Sequence, residues 1–290
     1  MARSITVNNC VRKDIDELSQ FAYRINGMIE HSSTFCSKNL DSIYRDFDTN
    51  ISSNSTVECR QGNQLIGVLD CYIDDEKSNI DCSLLIEPGV CYEDIARRLF
   101  DLIRKQFSPS MKYTFFFPKE NINCSDFLDK IGAHREVNEY GLLLKRGSEK
   151  LFPNSFTVID LPGEQHTQFV ELHDNVFPGI YISGKNIVND IGKKHFVFTI
   201  IDNGQIIAYS VLRLDGGKNA TAELVAVRED FRHKGYGRAI LSHLITQAHE
   251  NYGIDCIQLI VDGDNENAIH LYLELGFVLE SENCCYTLHG

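Results

Sequence analysis

The sequence predicts an α/β (α+β) chain in which one plan of strands and helices is laid down twice. Three observations predict it. The 290 residues are too many for one small domain and suit two of about 140. The hydrophobic period changes back and forth between two and 3.6 residues, the mark of strands interleaved with helices. The order of those changes in residues 1–148 can be laid on the order in residues 152–290, across a boundary near Gly147-Ser148-Glu149-Lys150.

In the C-terminal half, Phe156 to Leu161 reads as a strand, and Glu164 to Val176 and Lys185 to Ile191 as helices. Phe196 to Ile201 and Gln205 to Leu214 alternate as a hairpin around Asp202-Asn203-Gly204, because Asn-Gly accepts the positive φ of a tight turn. Ala222 to Val227 is a strand. Tyr236 to Asn251 is a helix with Ile240, Leu241, Leu244, Ile245 and Ala248 on one face. Cys256 to Val261 is a strand and Glu266 to Leu275 a helix. Phe277 opens a last strand that resumes at Tyr286. The order is β-α-α-β-β-β-α-β-α-β.

The N-terminal half follows the same plan. Asp14 to Ile29 reads as helix, and Thr56 to Arg60 with Gln64 to Ile73 as a hairpin around Gln61-Gly62-Asn63. Asp81 to Ile86 is a strand, Glu93 to Phe107 a helix, Lys112 to Phe117 a strand, Ser125 to Ile131 a helix and Glu139 to Lys145 a strand. Phe127-Leu128-Asp129-Lys130-Ile131-Gly132 falls where Leu271-Tyr272-Leu273-Glu274-Leu275-Gly276 falls. An ancestral duplication accounts for the match.

Composition narrows the function. Hydrophobic residues make up 43% and charged residues 24%, ordinary for a soluble domain. No apolar run reaches the roughly 20 residues of a membrane span, and Met1-Ala2-Arg3-Ser4-Ile5-Thr6-Val7 lacks a signal-peptide core, so a cytoplasmic protein is expected. The net charge of -13 disfavours nucleic acid and anionic membranes as partners, which reward clustered Lys and Arg. Ten cysteines show no C-x-x-C pair and no zinc-like grouping with histidine, so reduced core cysteines are expected, Cys71 and Cys256 among them, and no metal.

The most telling stretch is Arg232-His233-Lys234-Gly235-Tyr236-Gly237, between the strand ending at Val227 and the helix starting near Tyr236. Free N–H groups at a helix N-terminus attract anions, and glycines let a bulky anion approach the backbone. Arg232, Lys234 and Arg238 add positive charge. The N-terminal counterpart, Glu87-Pro88-Gly89-Val90-Cys91-Tyr92-Glu93-Asp94, has one glycine and acids where a phosphate would sit.

Two signatures then coincide: Leu224-Val225-Ala226-Val227 followed by Arg232-x-x-Gly235-x-Gly237, and Asn265-x-x-Ala268-x-x-Leu271-Tyr272-x-x-x-Gly276-Phe277. Together they resemble the GNAT superfamily of N-acetyltransferases, over roughly Ser155 to Gly290. The whole chain resembles the tandem form of that family, in which one half keeps the cofactor site and the other has decayed. The resemblance implies two tandem acyl-CoA N-acyltransferase folds, each a mixed, mostly antiparallel sheet flanked by helices. Residues 1–148 would be a degenerate domain without CoA, and 152–290 the catalytic one.

The resemblance also implies roles. In Val225-Ala226-Val227, the backbone of Val225 and Val227 would pair with the pantetheine arm of acetyl-CoA as an added strand does. The N–H groups of His233, Lys234, Gly235, Tyr236, Gly237 and Arg238 would hold the pyrophosphate, beside Arg232. Asn265 would reach the pantetheine, a role compatible with N-capping its helix. Tyr272 would protonate the departing thiolate. The N-terminal half has Asn121 and Leu128 at the positions of Asn265 and Tyr272.

Amide formation also needs a base, because an alkylammonium with pKa near ~10.4 cannot attack a thioester. Glu223 is the candidate. Alternation places it on the face of Val227, whose N–H is the candidate oxyanion donor. Proton loss to water competes with Glu223 as the route. His195 and His270 are read as structural. The acceptor would be bound by Glu164 to Ile191, with Asp174 and Tyr181 as contacts. The expected reaction is acetylation of a primary amine on a small metabolite. Protein lysine or N-terminal acetylation, a non-catalytic acyl-CoA sensor, and a longer acyl chain are the alternatives.

Overall fold

The computed structural model describes residues 4–75, 77–152 and 155–290, so Met1 to Arg3 of the segment inspected for a leader lie outside the described residues. Two compact units emerge: Met1–Glu139 with Glu282–Gly290, and Tyr140–Ser281. The expected bounds of 1–148 and 152–290 are therefore corrected. The strand β7 (Glu139–Lys145) belongs to the second unit from Tyr140 onward, and the strand β13 (Val278–His289) ends in the first. Both are apolar strands that follow a helix and a glycine, so the hydrophobic pattern is the same whichever sheet each one joins. Pairing between strands far apart in sequence decides the matter, and it leaves no trace in local periodicity.

In the first unit the elements are β1 (Ile5–Asn9), α1 (Ile15–Asn26), α2 (Leu40–Ser52), β2 (Thr56–Gln61), β3 (Gln64–Asp74), β4 (Asn79–Ile86), α3 (Tyr92–Arg104), β5 (Lys112–Pro118), α4 (Ile122–Lys130) and the short β6 (His134–Arg135). The sheet order is β1-β2-β3-β4-β5-β13, with only β4 and β5 parallel among these pairs. Strict alternation along β4 sends Cys82, Leu84 and Ile86 into the core under α3 and α4, and Leu85 into the core under α1 and α2. The hydrophobic pattern predicts no element over residues 5–9 or 40–52. Their apolar positions are few, and Leu40–Ser52 buries only Ile43, Phe47 and Ile51 as its apolar contacts. Asn39 caps α2 by accepting from the Ser42 N–H at 3.1 Å.

The second unit contains β7, β8 (Ile159–Asp160), α5 (His166–Val176), α6 (Gly184–Asn189), β9 (His195–Asp202), β10 (Gln205–Gly216), β11 (Asn219–Val227), α7 (Tyr236–Glu250), β12 (Cys256–Asp262), α8 (Glu266–Glu274) and the start of β13. The hairpin turn is where it was expected, with Asn203 at φ 48° and Gly204 at φ 74°. The strand expected over Phe156 to Leu161 shrinks to two residues, and β13 is continuous rather than interrupted before Tyr286. All ten cysteines are free; Cys71 is buried, whereas Cys256 is half-buried and Cys91 exposed.

Two irregularities shape this sheet. The parallel ladder between β11 and β12 holds only Asn219 to Thr221 against Cys256 to Gln258, although both strands continue beyond it. On the other side of β11, Val211 faces Leu224 and Leu212 faces Ala222, so Glu223 is an extra residue, a β-bulge.

Gly276 fixes the end of α8. Its φ is 99°, and a Cβ there would stand 2.3 Å from the Ser148 carbonyl oxygen. Gly253 also has positive φ, with open space around it. We expect Gly253→Ala to cost about 1 kcal/mol and Gly276→Ala clearly more, about 3 kcal/mol or above. Thermal unfolding of the two variants checks the ranking, and equal losses would refute the packing argument.

Candidate active site

The loop after β11 has the geometry of an anion cradle. His233 takes φ 60° and Gly235, the N-cap of α7, takes φ 89°. A left-handed residue at the mouth of a helix turns successive N–H groups toward one point. No side chain caps α7, so the first-turn N–H groups of Tyr236, Gly237 and Arg238 keep their donors. Positive φ at a histidine is uncommon and concentrates at functional loops. A Cβ at Gly237 would come 3.2 Å from Leu271, so this glycine lets α7 and α8 pack closely.

The basic side chains around the loop are already engaged. Arg232 donates from Nε to the Val227 carbonyl at 3.2 Å, tying the loop to the strand end. Lys234 donates to the Asp230 carbonyl at 2.8 Å and lies over the Phe231 ring. Arg238 pairs with Glu274 and lies over Phe152. The Tyr236 ring packs against Phe156, with centroids 4.3 Å apart.

Beside the loop, β11 runs from Ala222 to Val227 without a ladder to β12. Asn265 caps α8, accepting from the Ala268 N–H at 3.2 Å. Tyr272, on α8, is half-buried against Phe277, with ring centroids 5.8 Å apart. Burial pushes its phenol up to about 12, so it stays protonated at neutral pH.

Glu223 is the centre of a buried charge cluster. Its side chain is only 2% exposed. One carboxylate oxygen accepts from Arg213 Nη1 at 2.6 Å and from the Tyr181 hydroxyl. The other stands 2.9 Å from His195 Nε2 without hydrogen-bond alignment. His195 Nδ1 meets Asp190 Oδ2 at 2.9 Å, and Asp190 is one-third exposed. Burial, with the Glu223 carboxylate second, pushes the Tyr181 phenol upward and keeps it a donor.

The bulge overturns the expected placement of Glu223. Ala220 and Ala222 lie in the core under α7, while Leu224 and Ala226 lie in the core under α5 and α6. The extra residue shifts the alternation by one, so Val225 and Val227 pack toward α7. Glu223 instead meets Tyr181, in the α5–α6 connection, on the other side from Val227. Asp174 is engaged elsewhere, with its Oδ1 accepting from the Gly184 N–H at 2.8 Å. His195 differs from its structural reading by touching Glu223, and Arg213 was not singled out at all. An arginine and a glutamate on neighbouring strands, ten residues apart across a hairpin, were the available signal. His270 is exposed and pairs with Glu274 at 3.2 Å.

The first unit treats the same places differently. Its parallel ladder also stops early, at Cys82 opposite Phe115. Here, however, the chain between α1 and α2 occupies the gap. Thr34 N–H donates to the Phe116 carbonyl at 2.8 Å, and Asn121 Nδ2 donates to the Ser32 carbonyl at 2.9 Å. The β3–β4 register runs without a bulge, and Cys82 stands where Glu223 would, four residues before the strand end.

Among the described residues no helix is long and apolar enough to cross a membrane, and no group of three or more His, Cys, Asp or Glu could hold a metal ion. The model of the acetyltransferase (GNAT) family matches residues 166–277. Over 126 residues the chain is 33% identical to the ribosomal protein bS18-alanine N-acetyltransferase of Escherichia coli (strain K12), covering 43% of this chain and 78% of that enzyme. Over 72 residues it is 36% identical to the mycothiol acetyltransferase of Propionibacterium freudenreichii subsp. shermanii, covering 25% of this chain and 23% of the relative. Among solved structures, a GCN5-related N-acetyltransferase from Sphaerobacter thermophilus aligns with 98% of this chain and 95% of its own, at TM-score 0.72 and 11% identity. A tandem GNAT protein from the clavulanic acid biosynthesis pathway aligns with 98% of both chains, at TM-score 0.61 and 14% identity. These likenesses carry the fold along the length of the chain, and the bS18 enzyme carries the family: the chain is a tandem-fold acyltransferase that belongs to the GNAT family of acetyltransferases.

Proposed function

We propose that the second unit transfers an acetyl group from acetyl-CoA to the primary amine of a small metabolite by direct attack on the thioester, and that the first unit does no chemistry. The observation that carries the reading is the uncapped α7 N-terminus, preceded by left-handed His233 and Gly235, directly after a strand whose ladder ends early. The N–H groups of residues 233–238 hold the pyrophosphate there. The free edge of Val225 to Val227 pairs with the pantetheine arm, and Asn265 reaches it from α8. In the first unit the corresponding gap is filled by Ser32 to Phe35, and acids begin α3.

Glu223 takes the proton from the ammonium. The amine nitrogen then forms a bond to the acetyl carbon, the carbon–sulfur bond breaks while the thiolate accepts a hydrogen bond from Tyr272, and the nitrogen gives its second proton to solvent to leave the neutral amide. His195 stands 2.9 Å from both Glu223 and the one-third-exposed Asp190, and once its Nε2 aligns with the carboxylate it offers the proton a route to solvent. The Tyr181 hydroxyl covers Glu223 and is the group an incoming amine displaces; Tyr181 is 62% exposed. Asp174 serves the acceptor indirectly, by fixing Gly184 at the start of α6.

A second reading has its own support. The E. coli relative is named for an alanine of a ribosomal protein, so the acceptor here would be a protein N-terminus. A buried carboxylate serves either head group. Comparing an alanyl peptide with free small amines at equal concentration decides the acceptor class, and a peptide preferred by orders of magnitude would overturn the small-metabolite reading.

Calorimetry should give one acetyl-CoA site per chain, lost in Gly235→Glu, which puts a carboxylate at the cradle. Two sites would refute the inert first unit. Glu223→Gln should lower kcat by about 10²–10³, with acetyl-CoA affinity unchanged. Tyr272→Phe should lower kcat by about 10-fold or more, the value of one transition-state hydrogen bond. His195→Gln should lower kcat rather than raise KM. An unchanged kcat would reduce His195 to packing.

A further inference from the structure

The first unit holds a pocket that the acetyl-transfer reading does not use. It encloses about 350 Å³ on the α1/α2 side of the sheet, between α2, the Phe35–Ser37 segment, β3 and β4. Phe35, Phe47 and Tyr72 supply aromatic walls, and Asp46, Asp70 and Asp81 supply carboxylates. No lysine, arginine or histidine lines it.

Asp70 makes the charge significant. It is nine-tenths buried, and its oxygens accept from Asn50 Nδ2 at 2.9 Å and Thr56 Oγ1 at 2.6 Å, both uncharged donors. Asp81 accepts from Asn79 Nδ2 at 2.7 Å, again a neutral amide. Among the described residues none of the three carboxylates is in an ion pair. For the buried Asp70 a charge without a nearby cation is costly, whereas Asp46 is exposed and Asp81 half-buried at the pocket's rim. Burial pushes all three carboxyl groups upward, Asp70 to about 6.

The partner is not a metal ion, because no three acidic, cysteine or histidine side chains among the described residues converge as a metal requires. The carboxylates instead stand around an aromatic space with room for a carbon skeleton. Ring faces attract cations and bury alkyl chains.

We propose that this pocket binds a small organic cation, an alkylammonium or alkylguanidinium, at a site of the first unit separate from the acetyl-transfer cleft. The site stands on the same side of its own sheet as Glu223 and Tyr181 do in the second unit. The duplicated fold has thus filled its cofactor gap while keeping a pocket for a cation. The proposal holds whether or not the second unit proves to be the transferase described above.

Methyl NMR on the full chain tests it, with 1,4-diaminobutane and agmatine as probes and 1,4-butanediol as the neutral control. The Ile43 δ1-methyl, which lines the pocket, reports the site by itself, and Ile43→Val assigns its signal. Both cations should shift that signal saturably and the diol should not. Asp46→Asn and Asp81→Asn should each weaken the response by about tenfold, while Glu223→Gln leaves it unchanged. Three results would overturn the proposal: no saturable shift from either cation at millimolar concentration, an equal response to the diol, or affinity untouched in both asparagine variants.

Discussion

A parallel ladder that stops after Thr221 and Gln258 is the constraint on which the second unit depends. Past that point β11 keeps its backbone donors and acceptors on one side without a neighbouring strand. Unpaired backbone of this kind is costly in a buried setting and invites a strand-like partner. On the opposite side the register shift at Glu223 makes a bulge, where a strand bends and twists more strongly. The same extra residue moves Glu223 to the α5/α6 side while Val225 and Val227 keep facing α7. One local irregularity therefore aims the carboxylate.

The first unit shows what the fold does without that irregularity. Its β3–β4 register is continuous, and Cys82 occupies the position of Glu223 among apolar neighbours. Its β4–β5 ladder ends early as well, yet Ser32 to Phe35 fill the space and satisfy the Phe116 carbonyl and the Asn121 amide. Splayed strands are thus common to both units, and their use depends on what enters between them. The retained Asn121 still caps α4, accepting from the Cys124 N–H at 3.2 Å. That capping duty does not depend on residue 128, which is Leu where the second unit has Tyr272.

Features set by a few consecutive residues were legible in the sequence. The glycine loop, the Asn203-Gly204 turn, the α7 core face and the Asn265 cap depend on neighbours within a turn or two, and each is where the residues point. Features set by distant pairing were not. The exchange of strands that moved the unit bounds depends on Asn283 to His289 meeting Pro118 to Lys112, more than 160 residues away. The bulge is a fact about register between β10 and β11, so strict alternation put Glu223 on the wrong face. His195 looked structural because nothing in its own segment ties it to Glu223. Their meeting depends on β9 and β11 flanking β10.

The environment of Tyr272 also limits what it can do. A thiol near ~8.5 leaves as a thiolate that is a far weaker base than a phenolate whose acid is pushed up to about 12. Full proton transfer from Tyr272 to the sulfur would run uphill by several pK units. A hydrogen bond costs no such transfer and still stabilises the charge growing on sulfur. The tyrosine hydroxyl makes no other hydrogen bond among the described residues, so it loses no partner when it donates. Glu223 differs in kind: one carboxylate oxygen accepts from Arg213 and Tyr181 while the other stands beside His195, and an ammonium can take the place of the Tyr181 donor. In the mechanism we propose, the two groups therefore divide the work: the Glu223 cluster receives and passes on the proton, and the Tyr272 phenol steadies the leaving group without giving its proton up.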